Sequence, residues 1–122
     1  MDIKLFDSEL KVMELIWDRE PITAKELSVL ANHAYGWNKN TTYTVIKKLL
    51  DKEVIERTEP NFTCTSLIKK EEVQKAETNQ LIQKLYQGSK KAFFAAFLQD
   101  ESLSKEEYEE LRDLLNKKKK EE

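Results

Sequence analysis

Apolar positions along the first half of the chain recur at two different periods, and the change of period divides it into elements. Leu10, Met13, Ile16 and Trp17 repeat at i, i+3, i+6 and i+7, the spacing of one buried helix face, with Asp7 or Ser8 placed to cap it. A second helix starts at T-A-K-E. The Thr23 hydroxyl can accept from the backbone N–H three residues on, while Glu26 reaches back to the Thr23 N–H. Leu27, Leu30 and Ala31 follow at helical spacing, and N-H-A-Y-G-W then supplies turn residues. A third periodic run, N-K-N-T-T-Y-T-V-I-K-K-L-L-D-K, opens on Asn38 as its natural N-cap. Period two takes over in Val54-Ile55-Glu56-Arg57-Thr58 and Phe62-Thr63-Cys64-Thr65. The turn Glu59-Pro60-Asn61 between them predicts a hairpin.

Two helices joined by a short turn and followed by a hairpin spell a winged helix-turn-helix, assigned to residues 1–68. Beyond it the pattern is helical throughout. Lys69 begins a charged helix carrying Val73, Ala76, Leu81, Ile82, Leu85 and Tyr86 as far as Gly88, a residue suited to a helix end. The segment K-K-A-F-F-A-A-F-L crowds Phe93, Phe94, Phe97 and Leu98 into a helix too short to bury them alone. A second capping box, Ser104 to Glu107, precedes Tyr108, Leu111, Leu114 and Leu115, and lysines 117–120 suit the negative end of that last helix. The fold class is therefore mainly α with a small β-hairpin, and residues 69–122 read as a helical dimerisation region. Leu81, Ile82, Leu85, Phe93, Phe94, Phe97, Leu111 and Leu115 are its candidate contact residues.

In the third helix, a rotation of 100° per residue places Thr42, Ile46, Leu49 and Leu50 on one side and Asn40, Thr41, Thr44, Lys47 and Lys48 on the other. Asn can bond adenine bidentately, a Thr methyl can touch the thymine methyl, and Lys neutralises phosphate, so the second face suits a DNA major groove. Standing alone, such a face is more often a solvated one; the capped helix before it and the hairpin after it reverse that balance in favour of the reading role. Lys39, Arg57 and Asn61 extend the candidate surface from the helix start to the hairpin as possible backbone contacts.

The whole chain carries a formal charge of −2 and a pI near 5.6, a balance that argues against nucleic acid until its distribution is considered. Between Trp37 and Lys52, Lys39, Lys47, Lys48 and Lys52 face a single acid, Asp51, a local excess of +3. Charged residues make up 36% of the 122, so the small core must be shared among many helices, a circumstance that favours oligomerisation. The sole cysteine, Cys64, rules out an internal disulfide and reads as core packing rather than a redox sensor. With one histidine, His33, in the turn, no structural zinc set and no cofactor is expected. Trp17 and Trp37 read as packing anchors rather than base-stacking platforms. Neither a nucleophile with its base nor a Gly-rich phosphate loop is present, so no enzyme is expected. Absence of a secretory or membrane-spanning stretch implies a cytoplasmic protein without membrane insertion.

Taken together, S-E-L-K-V-M-E-L-I-W, W-N-K-N-T-T-Y-T-V-I-K-K-L-L, and Y-Q-G-S followed by L-S-K-E-E-Y-E-E-L resemble the penicillinase and methicillin-resistance repressors, the BlaI/MecI family that also includes copper-responsive members. The resemblance covers nearly the whole chain. It implies a homodimer on a dyad-symmetric duplex DNA operator, joined through C-terminal helices and released when a regulatory protease cuts that arm between Asn and Phe. The matching bond here is Ala96–Phe97, with Phe kept and Asn replaced. Glu53 stands where the family commonly has Gly, which predicts a different turn into the wing, and the paired cysteines of the copper branch are missing. An alternative on the residues alone is a winged-helix protein-interaction subunit without sequence-specific DNA binding.

Overall fold

A computed structural model describes residues 4–99 and 102–121. Its elements run α1 (Asp7–Arg19), β1 (Ile22–Thr23), α2 (Ala24–Tyr35), α3 (Lys39–Asp51), β2 (Ile55–Thr58), β3 (Thr63–Ser66), α4 (Lys70–Tyr86), α5 (Lys90–Leu98) and α6 (Lys105–Glu121). The architecture is mainly helical with a small antiparallel sheet, and the chain divides into two compact units, residues 1–78 and 79–122.

Both capping boxes form. Glu26 N–H donates to Thr23 Oγ1 at 3.1 Å while Thr23 N–H donates to Glu26 Oε1 at 3.3 Å. Ser104 and Glu107 repeat the exchange ahead of α6 at 3.0 and 3.3 Å. At α1 the expected cap is corrected: neither Asp7 nor Ser8 serves. Phe6 occupies the cap position, and its N–H is satisfied by the Glu9 carboxylate at 2.7 Å. Between α2 and α3 the turn is shorter than its composition suggested. Residues 32–35 stay helical, so exposed His33 belongs to the last turn of α2 rather than to the loop. Gly36 ends that helix at φ +71°, a left-handed conformation that costs a residue bearing Cβ roughly 1–2 kcal/mol.

The hairpin β2–β3 pairs Ile55 with Ser66 and Thr58 with Thr63. A third strand, β1, lies on the other side of β3, with Ile22 opposite Cys64 and Thr23 opposite Thr63. Two residues are too few for an alternation to be read from sequence, so β1 escaped the sequence pattern. Its role is to tie the start of α2 to the wing, a tie extended by Ala24 N–H donating to Phe62 O at 2.9 Å. The chain leaves α3 through Glu53 at φ +60°. The turn therefore keeps the left-handed backbone that Gly would adopt, contrary to the expectation of a different turn.

One cluster fills the first unit: Val12, Met13 and Ile16 of α1, Leu27 of α2, Val45, Ile46 and Leu49 of α3, Val54 and Ile55 entering the wing, and Cys64 of β3. Ile68 and Val73 from the segment after the wing are buried in it as well. Trp17 packs on this cluster and donates its indole N–H to Ile68 O at 3.0 Å, while Trp37 lies against Tyr35 with ring centroids 5.4 Å apart. Both tryptophans act as anchors. Burial pushes the Cys64 thiol up to about 11, because its thiolate would sit in the apolar core.

In the second unit, α4 ends at successive left-handed residues, Gln87 and Gly88, and Ser89 caps α5 by accepting from Ala92 N–H at 3.0 Å. Phe93 is half-buried among Tyr86, Phe94 and Phe97, with centroids 5.6, 5.3 and 6.4 Å away. Ile82 is buried. Most other apolar side chains of this unit are not.

Candidate nucleic-acid interface

Helix α3 separates its faces sharply. Thr42, Val45, Ile46 and Leu49 are buried, whereas Lys39, Asn40, Thr41, Thr44, Lys47 and Lys48 are all exposed. Val45 takes the core position assigned to Leu50, which is only half-buried. Asn38 caps the helix, its Oδ1 accepting from Thr41 N–H at 2.8 Å, so the first-turn residues stand on a fixed end with backbone amides facing outward along the axis. Such an end favours a phosphate. Buried Thr42 satisfies its hydroxyl by donating to Asn38 O at 3.3 Å. Thr44 donates to Asn40 O at 2.9 Å, and this engages its hydroxyl and leaves the methyl as its main outward contact group.

Two residues of the wing complete the candidate surface in an arrangement the sequence did not disclose. The Arg57 guanidinium stacks 3.7 Å above the Phe62 ring, and Phe62 meets Tyr43 of α3 edge-on at 6.0 Å. Lys39 Nζ lies 5.6 Å from the Tyr43 centroid. A cation, two rings and a second cation thus run from the wing to the start of α3, holding Lys39 and Arg57 at the two ends of one aromatic pair. Cation–π attraction at exposed sites contributes about 0.5–1 kcal/mol per contact. The only sequence signal was an aromatic in each of two elements, which says nothing about their meeting.

Arg57 also donates Nε–H to Glu59 Oε1 at 2.6 Å. That bond, and then the Phe62 N–H, hold the Glu59 carboxyl below the usual carboxylate range. Asn61 is exposed at the tip with φ +69°, the left-handed conformation that Asn tolerates. Lys52 departs from the sequence reading. Counted among the cations of α3, it instead turns back to Glu9 of α1 at 2.7 Å, so the outward charge of the helix comes from Lys39, Lys47 and Lys48.

The remaining named residues lie in the second unit. Leu81, Leu85, Phe94, Phe97 and Leu115 are exposed, Leu111 and Phe93 half-exposed, and Ile82 buried. Phe94, Phe97 and Leu98 of α5 with Leu111, Leu114 and Leu115 of α6 line an apolar cleft of about 370 Å³. Ala96 and Phe97 are both exposed within α5. Among the described residues no cluster of His, Cys, Asp or Glu could hold a metal ion, and no helix is long and apolar enough to cross a membrane.

Comparison with known proteins agrees with this architecture. Over 123 aligned positions the chain is 31% identical to the methicillin resistance regulatory protein MecI of Staphylococcus aureus, covering 97% of this chain and all of that protein. It is likewise 31% identical to the penicillinase repressor of Staphylococcus aureus over 116 positions, covering 93% and 92% of the two. The solution structure of the DNA binding domain of the repressor BlaI superimposes with a TM-score of 0.53 at 24% identity, over 57% of this chain and 88% of that domain. The winged-helix fold is shared. A profile of the penicillinase repressor family matches residues 5–117, and the chain belongs to that family.

Proposed function

We propose that this chain is a cytoplasmic transcriptional repressor that binds duplex DNA as a homodimer and reads a dyad-symmetric operator with the outer face of α3. The observation that carries the reading is that face itself: Asn40, Thr41, Thr44, Lys47 and Lys48 are free of the core, on the second helix of a helix-turn-helix in a chain whose relatives include a methicillin resistance regulatory protein and a penicillinase repressor. Asn40, Thr41 and Thr44 lie in the first turns of α3, the part of a recognition helix that reaches base edges. Lys39, Lys47, Lys48, Arg57 and Asn61 then contact the phosphate backbone, fixing register without reading sequence.

The exposed Leu81, Leu85, Phe94, Phe97 and Leu115 supply the dimer contact together with half-exposed Leu111, with Ile82 and Phe93 shaping the unit from within. Burying one Phe-sized side chain contributes about 1.5–3 kcal/mol, so a few such contacts sustain a small interface. Cutting Ala96–Phe97 would sever it and release DNA with no ligand entering the winged helix. With Ala in place of Asn, a protease selective for Asn-Phe cuts this chain poorly, and an Ala96→Asn variant is cut faster in an extract induced with a cell-wall antibiotic.

The test is selection of bound duplexes from a random library, followed by affinity measurements on the winner. Inverted half-sites about one helical turn or a multiple of it apart are expected. Replacing Asn40 and Thr44 by Ala should cost about 1–3 kcal/mol for each base pair no longer read, whereas Lys47→Ala should weaken all sequences alike. Unchanged sequence preference in the Asn40→Ala/Thr44→Ala variant would remove α3 as the reader. A folded chain that selects no duplex would instead fit a protein-interaction subunit.

A further inference from the structure

The far end of α3 carries a charged contact that the proposed DNA surface does not use. Lys52 caps the helix, and its Nζ donates to Glu9 Oε1 at 2.7 Å and to Lys4 O at 3.0 Å while sitting 4.8 Å from the Phe6 ring centroid. Two of the three N–H groups of the ammonium are thereby engaged, beside an aromatic ring. Glu9 lies in the first turn of α1 and is only 1% exposed. Its Oε1 accepts from Phe6 N–H as well, and its Oε2 has no hydrogen-bond partner among the described residues. A carboxylate so far removed from water persists only with a cation against it.

Stability is a poor explanation for such a pair, because apolar replacements of both partners are often neutral or better. Direction is what the pair supplies. The rest of α3 is held by the stripe Thr42, Val45, Ile46 and Leu49, and apolar packing is non-directional. A charge-assisted hydrogen bond, by contrast, has a narrow optimum in distance and angle. Base readout depends on position in the same way, since a bidentate contact made from Asn40 tolerates little displacement.

We propose that Lys52 is a positioning residue for DNA reading: its ion pair with Glu9 fixes the C-terminal end of α3 against α1, whereas the Asn38 cap closes the first turn within α3 itself. The ion pair sets the axial position and roll from which Asn40, Thr41 and Thr44 meet the bases. This rests on α3 being the reader, as proposed above. A Lys at this position whose ammonium is committed to Glu9 is not free to follow a phosphate, so its loss should leave the electrostatic component of binding untouched.

The experiment uses the full chain, a duplex selected by the unmodified protein, and a scrambled duplex of equal length. Lys52→Met keeps the apolar stem and removes the charge; Glu9→Gln keeps the shape and removes the opposite charge; Lys52→Arg retains a cation. Affinities are measured well below each variant's unfolding midpoint, together with backbone amide NMR shifts of the free protein. Lys52→Met and Glu9→Gln should each lower the specific-to-scrambled affinity ratio about tenfold, within the range of one good base contact. Affinity for the scrambled duplex and its salt slope should be unchanged, the Asn40–Thr44 amides should move, and Lys52→Arg should restore most of the ratio.

An unchanged ratio in folded variants would overturn the proposal and leave the pair with a structural role only. Equal losses on both duplexes, with the salt slope reduced by about 1, would make Lys52 a direct phosphate contact instead. Should Lys52→Met fail to fold, Glu9→Gln carries the same test. If the unmodified chain selects no duplex, the DNA reading itself fails, and unmoved amides in the free variants would then overturn the positioning role independently.

Discussion

The two units of this chain use their apolar residues in opposite ways. In residues 1–78 each helical stripe finds a counterpart in the same unit: Val12, Met13 and Ile16 share one core with Val45, Ile46 and Leu49, and nothing large is left over except scattered positions such as Val29 and Leu67. In residues 79–122 the stripes of α5 and α6 surround a cleft that stays open, and Phe94, Phe97, Leu98, Leu114 and Leu115 are all about half exposed or more. Single exposed apolar residues need no explanation, but a contiguous set on two adjacent helices marks an interaction surface. The difference teaches that apolar content alone does not make a core. Three helices and a sheet enclose a centre; α5 and α6 by themselves offer a face.

The largest effect that would break this comparison comes from separating the units. A chain ending at Thr78 should remain folded, because its core is complete. On the proposed homodimer, its operator affinity should fall about 10²–10⁴-fold as two linked copies of α3 become independent ones. Calorimetry and DNA titration on the same sample check both halves. Ending instead at Leu67 should destabilise the winged helix, since Ile68 and Val73 are buried in its core and Ile68 O accepts from Trp17.

A smaller effect sharpens the claim that the first unit has a dry interior. Below pH 9 the Cys64 thiol is protonated whether the chain is folded or not, so it contributes no pH dependence there. Between about pH 9 and 11 the unfolded chain releases this proton and the folded one does not. Folding stability should therefore fall as pH rises through that window, by about 2–3 kcal/mol for a displacement of this size. Denaturation midpoints at pH 8 and 10.5 should show this extra decline in the parent but not in Cys64→Ala, and thiol reagents should label the native chain only as it unfolds.

The smallest effect contrasts two side chains of similar chemistry. Val73→Ala should cost about 1–2 kcal/mol of stability, because a buried methyl pair is removed and a cavity left. Leu115→Ala, at a position 67% exposed, should leave monomer stability within about 0.5 kcal/mol while raising the dimer dissociation constant. Equal effects of the two on unfolding would contradict the contrast between a closed core and an open face.

Short-range order along the chain determined much of this protein. The capping boxes at Thr23 and Ser104, the Asn38 cap, the hairpin and the two faces of α3 follow from hydrogen bonds and periodicities that span a few residues, and all of them are present in the structure. Tertiary structure alone decided what depends on residues distant in sequence. Lys52 turned away from the candidate DNA face because Glu9, 43 residues earlier, lies buried beside it. β1 exists because β3 offers it a partner, and Lys39 and Arg57 are aligned because Phe62 of the wing meets Tyr43 of α3. Val45 replaced Leu50 in the core through the actual rotation of α3 against α1 and α2. The physical reason is the same in each case: local patterns fix which groups a segment can satisfy by itself, and the groups left unsatisfied are settled only by whatever the fold brings against them.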